Sequence, residues 1–297
     1  MSWRILFIEE SEFLSLYLDN IKVINHGDEI LIPLSDINTL IIDNYKTNIS
    51  VHLINALANY NVNTVFCGID HMPSCISHPL SGHHKSAQVF KKQLKWTEYQ
   101  KGLLHQLIIT HKINNQIELL KTFCFDEDLA IMIRLSSEVE EADSTNREGL
   151  VAKMYFRKLF GDHFKRFNDD VINAGLNYGY AVLRSQISRI IISKGLNPSL
   201  GIFHKGPEND FNLSDDFIEP FRPIIDYHVY KHLMKDQVFT REHRLMLVEA
   251  TTKSIYFCNK KQTIFNAMIL YIEQILDYID GSKKTLIDCP IIHYHEF

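Results

Sequence analysis

Three segments in the second half of the chain hold residue types that can do chemistry together. Asn146-Arg147-Glu148-Gly149 places a carboxylate in what reads as the first turn of a helix, capped by Ser144 or Thr145, where the helix dipole favours an anion. Gly201-Ile202-Phe203-His204-Lys205-Gly206-Pro207 sets an imidazole between an apolar run and a Gly-Pro turn, at the lip of an element where ligands and catalytic groups are often displayed. In Asn212 to Pro223, Asp216 and Glu219 are three apart on one helix face, and Pro220 and Pro223 restrain the backbone beside Glu219. Singly, each has an ordinary reading: a surface carboxylate, one histidine among 15, a capped acidic helix start. Together, one imidazole and two or three carboxylates make a mixed nitrogen and oxygen donor set that suits Mg²⁺ or Mn²⁺, the imidazole being better tolerated by Mn²⁺. A divalent ion beside a phosphodiester neutralises the phosphate, activates an attacking hydroxyl and stabilises the leaving oxygen. The segments are far apart in sequence, so only the fold can unite them.

A phosphodiester substrate needs basic surface. The formal net charge is −5, which excludes a surface that is basic throughout but not a local basic face. Residues 147–167 hold Arg147, Lys153, Arg157, Lys158, Lys165 and Arg166 against only Glu148 and Asp162. Lys91, Lys92 and Lys95 form a second run, and Lys231, His232, Lys235, Arg241, His243 and Arg244 a third. One such run is usually a solvated helix face; three point modestly toward a polyanion.

The elements that must position these residues fall into two kinds. In the first eighty residues, short apolar runs (Trp3 to Ile8, Phe13 to Leu18, Ile30 to Pro33, Thr39 to Ile42, Asn63 to Cys67) alternate with turn formers such as Asn25-His26-Gly27-Asp28, which predicts strands. One helix interrupts them, with Ser50 as its N-cap and Val51, Leu53, Ile54, Leu57 and Tyr60 at helical spacing. From about residue 88 the period becomes helical. Helices are expected through Leu103–Phe125, Leu129–Leu135, Ser144–Phe160, Gly179–Ser193, Ser214–Lys235 and Gln262–Asp280. The expected fold is α+β: a β-rich domain over 1–80, a linker over 81–88 and a larger all-α domain over 89–297.

The hydrophobic fraction, 45%, is that of an ordinary globular chain, and no run of about 18 apolar residues exists to cross a membrane. Glu9 and Glu10 follow the first apolar run at once, unlike a secretory signal. The cysteines, Cys67, Cys75, Cys124, Cys258 and Cys289, are odd in number and lack CxxC spacing, so buried reduced thiols in a cytoplasmic protein are expected.

Four stretches in order, Ser144-Thr145-Asn146-Arg147-Glu148-Gly149, Ile172-Asn173-Ala174-Gly175-Leu176-Asn177-Tyr178-Gly179-Tyr180, Gly201-Ile202-Phe203-His204 and Asp216-Phe217-Ile218-Glu219-Pro220-Phe221-Arg222-Pro223, resemble the CRISPR spacer-acquisition integrases. These are the larger of the two universal CRISPR adaptation proteins, and the resemblance spans nearly the whole chain. The Asn-Arg-Glu-Gly and Glu-Pro-Phe-Arg-Pro variants look most like the type II CRISPR branch. The resemblance implies that Glu148, His204 and Glu219 ligate Mg²⁺ or Mn²⁺, with Asp216 behind them in a supporting or DNA-proximal place. Tyr178 matches a tyrosine close to the catalytic site, which orients a strand end or merely packs. Arg147 and Arg222 flank ligand positions and are candidates, with Lys153, Arg157 and Lys158, to hold DNA phosphates. The implied reaction joins the 3′-hydroxyl of a short captured DNA (a prespacer) to the edge of a CRISPR repeat by transesterification, in antiviral defence. The implied partners are DNA, a second copy bound through residues 1–80, a small ferredoxin-like adaptation protein, and the type II effector nuclease with an accessory adaptation protein.

Two other functions use the same residues differently. A structure-selective metal nuclease would act on branched or repair DNA with water as nucleophile. A metal-free structural subunit would only bind DNA. The tail His293-Tyr294-His295-Glu296 imitates a metal clip, but a chain end is where order is rare.

Overall fold

The computed structural model describes residues 4–79, 82–281 and 287–294. The chain divides into two compact units: Met1–Phe90 with Ser188–Leu196, and Lys91–Ile187 with Asn197–Phe297.

The first unit runs β1 (Arg4–Ile8), β2 (Phe13–Tyr17), β3 (Asn20–Asn25), β4 (Asp28–Pro33), β5 (Ile37–Ile42), β6 (Asn48–Ile49), α1 (Val51–Asn59), β7 (Asn63–Cys67) and β8 (Pro73–Ser77). Two four-stranded sheets result, in the orders β1-β5-β7-β8 and β4-β3-β2-β6. β1, β5 and β7 pair in parallel, and every residue of β5 is buried, which is why its sequence, Ile-Asn-Thr-Leu-Ile-Ile, is mostly apolar rather than alternating. The expected turn at Asn25 to Asp28 is a two-residue hairpin, with His26 at φ 49° and Gly27 at φ 87°, the left-handed pair that matches strand twist. Ser50 caps α1 by accepting the Leu53 amide at 3.2 Å. Leu14, Ile21, Ile37, Leu40, Leu53 and Leu57 form the core beneath.

The remaining elements are α2 (Ser86–Gln93), α3 (Glu98–Thr122), α4 (Leu129–Ser137), α5 (Arg147–Phe160), α6 (Val171–Ser193), α7 (Asn212–Ile218), a 3₁₀ turn over Glu219–Phe221, α8 (Arg222–Leu233), α9 (Arg241–Ala250), β9 (Ser254–Phe257), β10 (Lys260–Thr263) and α10 (Ile264–Ile279). The α+β class is as expected from the sequence, and no described helix is long and apolar enough to cross a membrane. α3 is the axis of the second unit. A Thr97–Gln100 capping box starts it, and it packs against α4, α5, α7 and α8. Asn115, buried on α3, donates to the carbonyls of Pro220 (2.9 Å) and Pro290 (2.8 Å), tying the Glu219 turn and the C-terminal segment to one helix.

α6 and α8 approach closely because α6 carries glycine at Gly175 and Gly179. A Cβ at Gly175 would stand 2.5 Å from Leu233 Cδ2, and one at Gly179 would overlap Ile225. A glycine inside a helix costs about 0.5–1 kcal/mol relative to alanine, so this close packing offsets a real penalty. Gly179→Val is expected to destabilise the protein by about 3 kcal/mol through overpacking, and Gly179→Ala by less. Thermal melts of the two variants check this, and an unchanged midpoint for the valine variant would show that Ile225 simply moves aside.

Three expectations need correction. Gln262 and Thr263 belong to the hairpin β9–β10, which a helical period does not foretell, and α10 starts only after Thr263 caps it. Residues 287–294 of the C-terminal segment are packed: Ile287, Ile292 and Tyr294 are buried, and Ile291 bridges Tyr256. His295 and Glu296 of the tail lie outside the described residues. Among the described residues the five cysteines form no disulfide, and of them only Cys67 is buried. Cys75 is on the outer strand β8, and Cys124 and Cys258 occupy left-handed turns (φ 57° and 51°) that face solvent.

Candidate metal centre

Glu148 enters from the first turn of α5. The expected caps do not act there. Asn146 is the capping residue by position, in a left-handed conformation (φ 52°) with no side-chain cap bond, and the Ser144 hydroxyl bonds Glu140 instead. The Asp143 carboxylate takes over, accepting the Arg147 amide at 2.8 Å and the Glu148 amide at 3.0 Å. A charged group with two oxygens satisfies two of the four free amides and the dipole at once, which a hydroxyl cannot. Ala142, Asp143 and Asn146 all hold positive φ, so the lead into Glu148 is a strained, non-glycine turn. Arg147 points to Glu138, at 3.1 Å.

Glu219 opens the 3₁₀ turn after α7 and is buried. Its Oε1 meets Arg222 Nη2 at 3.1 Å. Its buried Oε2 pairs with Lys112 Nζ at 2.6 Å. The same ammonium lies 2.5 Å from Glu148 Oε1. Lys112, from the middle of α3, therefore joins the two carboxylates. Burial alone lowers a lysine pKa, but Glu219 and Glu148 more than reverse it, and Lys112 titrates above its ordinary value. Burial likewise lifts Glu219, yet Arg222 and Lys112 pull it below the usual carboxylate range.

His204 sits in the loop between α6 and α7. Its Nδ1 lies 2.7 Å from Asp216 Oδ1, and that bond raises its pKa against the opposing effect of burial; the Glu219 carboxylate adds to the rise. Asp216 also accepts the amides of Ile202 (2.5 Å), Phe203 (3.1 Å) and His204 (3.1 Å). Four acceptor sites thus hold four donors, so Asp216 has no lone pair left for an ion. Gly201 is required: a Cβ there would collide with the His204 carbonyl and reach Asp216 Oδ2 at 3.0 Å.

Behind Glu219 lies a second polar layer. The Arg222 guanidinium stands 4.7 Å over the Tyr180 ring, and Tyr180 and Tyr155 both donate to Asp226, the latter at 2.8 Å. Burial pushes Asp226 up to about 6. A cavity of about 390 Å³ opens beside His204, lined by Trp96, Lys101, Gly201, Lys205 and Pro207 among others.

Residues 5–261 match the family profile described as CRISPR associated protein Cas1. The chain belongs to that family. A CRISPR-associated endonuclease Cas1 of Neisseria meningitidis is 38% identical over 239 residues, which are 78% of this chain and 77% of the relative. A casposase solved bound to its integration product superposes with TM-score 0.78 at 17% identity, covering 95% of this chain and 92% of the other. A Cas6-RT-Cas1–Cas2 complex matches with TM-score 0.73 at 15% identity, covering 96% of this chain and 36% of the complex chain. The Cas1 resemblance read from four motifs is thus correct, and the last two matches show that the Cas1 fold is common to all three.

Within this Cas1-family chain, Glu148 and Glu219 share one ammonium, and His204 is held by Asp216 within electrostatic reach of Glu219. Tyr178 is buried on α6, its ring 5.6 Å from that of Phe239. Of the basic candidates, Arg157 pairs with Asp162, Lys158 reaches Glu127 (2.6 Å) and Asp128 (3.3 Å), and Lys153 is exposed. Sequence reasoning missed Lys112, Asp143, Asp226 and His105. His105, one heptad before Lys112 on α3, stacks on Phe203 at 3.8 Å with its Nδ1 buried and unbonded. The signal that could have found His105 and Lys112 is polar residues, with Asn115, recurring on the inward side of a long helix; Asp143 and Asp226 lie elsewhere and carry no such signal.

Among the described residues, no three His, Cys, Asp or Glu side chains are gathered tightly enough to hold a metal ion as they stand. The donor set nevertheless fits one. Two carboxylate oxygens already flank a cation, and Asp216 on Nδ1 would leave Nε2 of His204 to face an ion, the usual arrangement behind a metal-bound imidazole.

Proposed function

We propose that this chain is a metal-dependent DNA integrase and endonuclease of CRISPR adaptation, with Glu148, His204 and Glu219 as the ligands of Mg²⁺ or Mn²⁺. The observation that carries this is the meeting of two carboxylates from α5 and the Glu219 turn at one cation, beside an imidazole oriented by Asp216. A bound divalent ion would supply charge neutralisation at the phosphate and a more nucleophilic hydroxyl. The chain's own part is to position. Asp216 fixes the imidazole, Asp143 fixes the Glu148 turn, and Arg222 and Lys112 offset carboxylate charge where an anionic phosphate must approach. The 3′-hydroxyl oxygen of a captured strand forms a bond to the phosphorus at the repeat's edge as the bond from that phosphorus to the 3′ oxygen of the flanking strand breaks; the attacking hydroxyl gives up its proton to solvent and the departing 3′ oxygen takes one up. One phosphodiester replaces another, so no nucleotide cofactor is consumed. The casposase match supports strand joining, the relative's endonuclease name supports cleavage, and the complex containing Cas2 supports a small adaptation partner. Within residues 1–80, exposed Phe13, Tyr17, Leu18, Ile30 and Leu31 supply apolar surface for a second copy. The type II branch and its effector nuclease rest on the motif variants alone.

The test is to incubate the protein and a Cas2-type partner with a prespacer duplex, a repeat-bearing plasmid and Mn²⁺. Joined products support the proposal; nicking without joining would favour the hydrolytic nuclease, and activity that survives chelation would remove the metal from the reading.

Lys153→Ala, Arg157→Ala and Lys158→Ala together should weaken duplex binding and lower the magnitude of the log–log salt slope by roughly 0.9 for each phosphate that the variant leaves unneutralised. Titration at several salt concentrations measures it. An unchanged slope would assign these residues to their internal ion pairs instead.

A further inference from the structure

We propose that Lys112 is a built-in counter-ion that holds the Glu148–Glu219 pair closed and must withdraw before those carboxylates can ligate a metal, so that metal binds weakly until DNA arrives. This rests on the reading of Glu148 and Glu219 as ligands.

The geometry is that of occupancy. Nζ lies 2.5 Å from Glu148 Oε1 and 2.6 Å from Glu219 Oε2, so one oxygen of each ligand candidate is engaged by the ammonium. The side chain is 11% exposed and comes from the central helix, not from a surface loop. A buried ammonium is a poor way to gain stability, because its desolvation cost rivals the Coulombic gain and an apolar residue would pack as well. A lysine buried among the inward residues of α3 therefore calls for a role in the chemistry of the site.

Charge balance gives that role. Glu148, Glu219 and Asp216 face Lys112 and Arg222, three negative charges against two positive, with the donors of Asp216 spreading but not cancelling its charge. Without any ion, these groups are within one charge of balance. A divalent ion would leave a surplus of positive charge in a largely dry pocket, and an incoming phosphodiester removes part of that surplus. Lysine suits the exchange, being a compact ammonium on a flexible stem rather than a rigid two-pronged donor.

The experiment is a Mn²⁺ titration of the full chain, followed by the electron paramagnetic resonance of free Mn²⁺, with and without a short duplex and with a DNA-alone blank. Lys112→Met should bind Mn²⁺ at least tenfold more tightly than wild type without DNA, and DNA should tighten wild type far more than the variant. A merely structural lysine would lower the melting midpoint of the variant and leave its Mn²⁺ affinity unchanged, which would overturn the inference. Lys112→Arg, which keeps the charge, should stay within about threefold of wild type; tenfold tighter binding by it would also overturn the inference, and it remains a test if the methionine variant fails to fold. If wild type binds Mn²⁺ and Lys112→Met equals it, only the counter-ion role fails. If neither binds Mn²⁺ even with DNA, the metal reading of the site fails with it.

Discussion

Replacing His204 with alanine is expected to abolish strand joining while leaving DNA affinity within about twofold of wild type. The imidazole is the only nitrogen donor among the proposed ligands, and Asp216 aims it. Metal-assisted stabilisation of a phosphoryl transition state is worth several kcal/mol, and each 1.36 kcal/mol is tenfold, so a loss of about 10³ or more is expected. Affinity should survive because it comes mainly from lysine and arginine contacts to phosphates. Single-turnover assays on labelled DNA, paired with filter binding of the same preparation, measure both quantities. If the variant lost binding while joining per bound complex stayed intact, His204 would be a DNA contact and not part of the chemistry.

Glu219→Ala should be the most damaging single change to stability. It leaves Lys112 and Arg222 buried with one carboxylate fewer between them. Removing one partner of a buried pair costs about 3–5 kcal/mol, more than the pair itself contributes, because the orphaned charge stays desolvated. For a protein of this size that is a fall in melting midpoint of about 10 °C. The identifying sign is a double variant: adding Lys112→Met should recover part of the loss, since it removes the charge that Glu219 had balanced. A double variant whose losses simply add would show that Lys112 and Glu219 are not energetically coupled.

Much of the fold could be read from local signals. The strand at Asn63–Cys67 and the helix behind Ser50 follow from apolar runs and punctuation, because the helix buries one consistent face and the strand is a short run buried on both. The hairpin β9–β10 escaped because Ser-Ile-Tyr-Phe and Lys-Lys-Gln-Thr are short, and the second is exposed and charged, leaving no alternation to detect. The cap of α5 escaped for another reason. Asp143 reaches across a left-handed turn that an Ala-Asp sequence does not advertise. For the site, the motifs named Glu148, His204, Glu219 and Asp216, of which the fold links the first and third through Lys112 and the second to the fourth directly. They could not show Lys112, because a ligand's counter-ion is set by which helix crosses behind it, and α3 precedes Glu148 by a whole helix and its turns.

The saturated carboxylate of Asp216 has a consequence for how the site comes into being. Ile202, Phe203 and His204 give their amide protons to one anion, although Phe203 is itself 46% exposed. A surface loop of this kind ordinarily exchanges its amides with water almost freely, whereas each of these three can open only by taking a donor away from a buried charge. The loop therefore has no partly ordered state of low energy. His204 is either aimed or released together with its backbone, so alignment of the imidazole is a cooperative property of the α6–α7 connection. The slow exchange of three amides near the surface would report on an intact site without any DNA or metal in the tube.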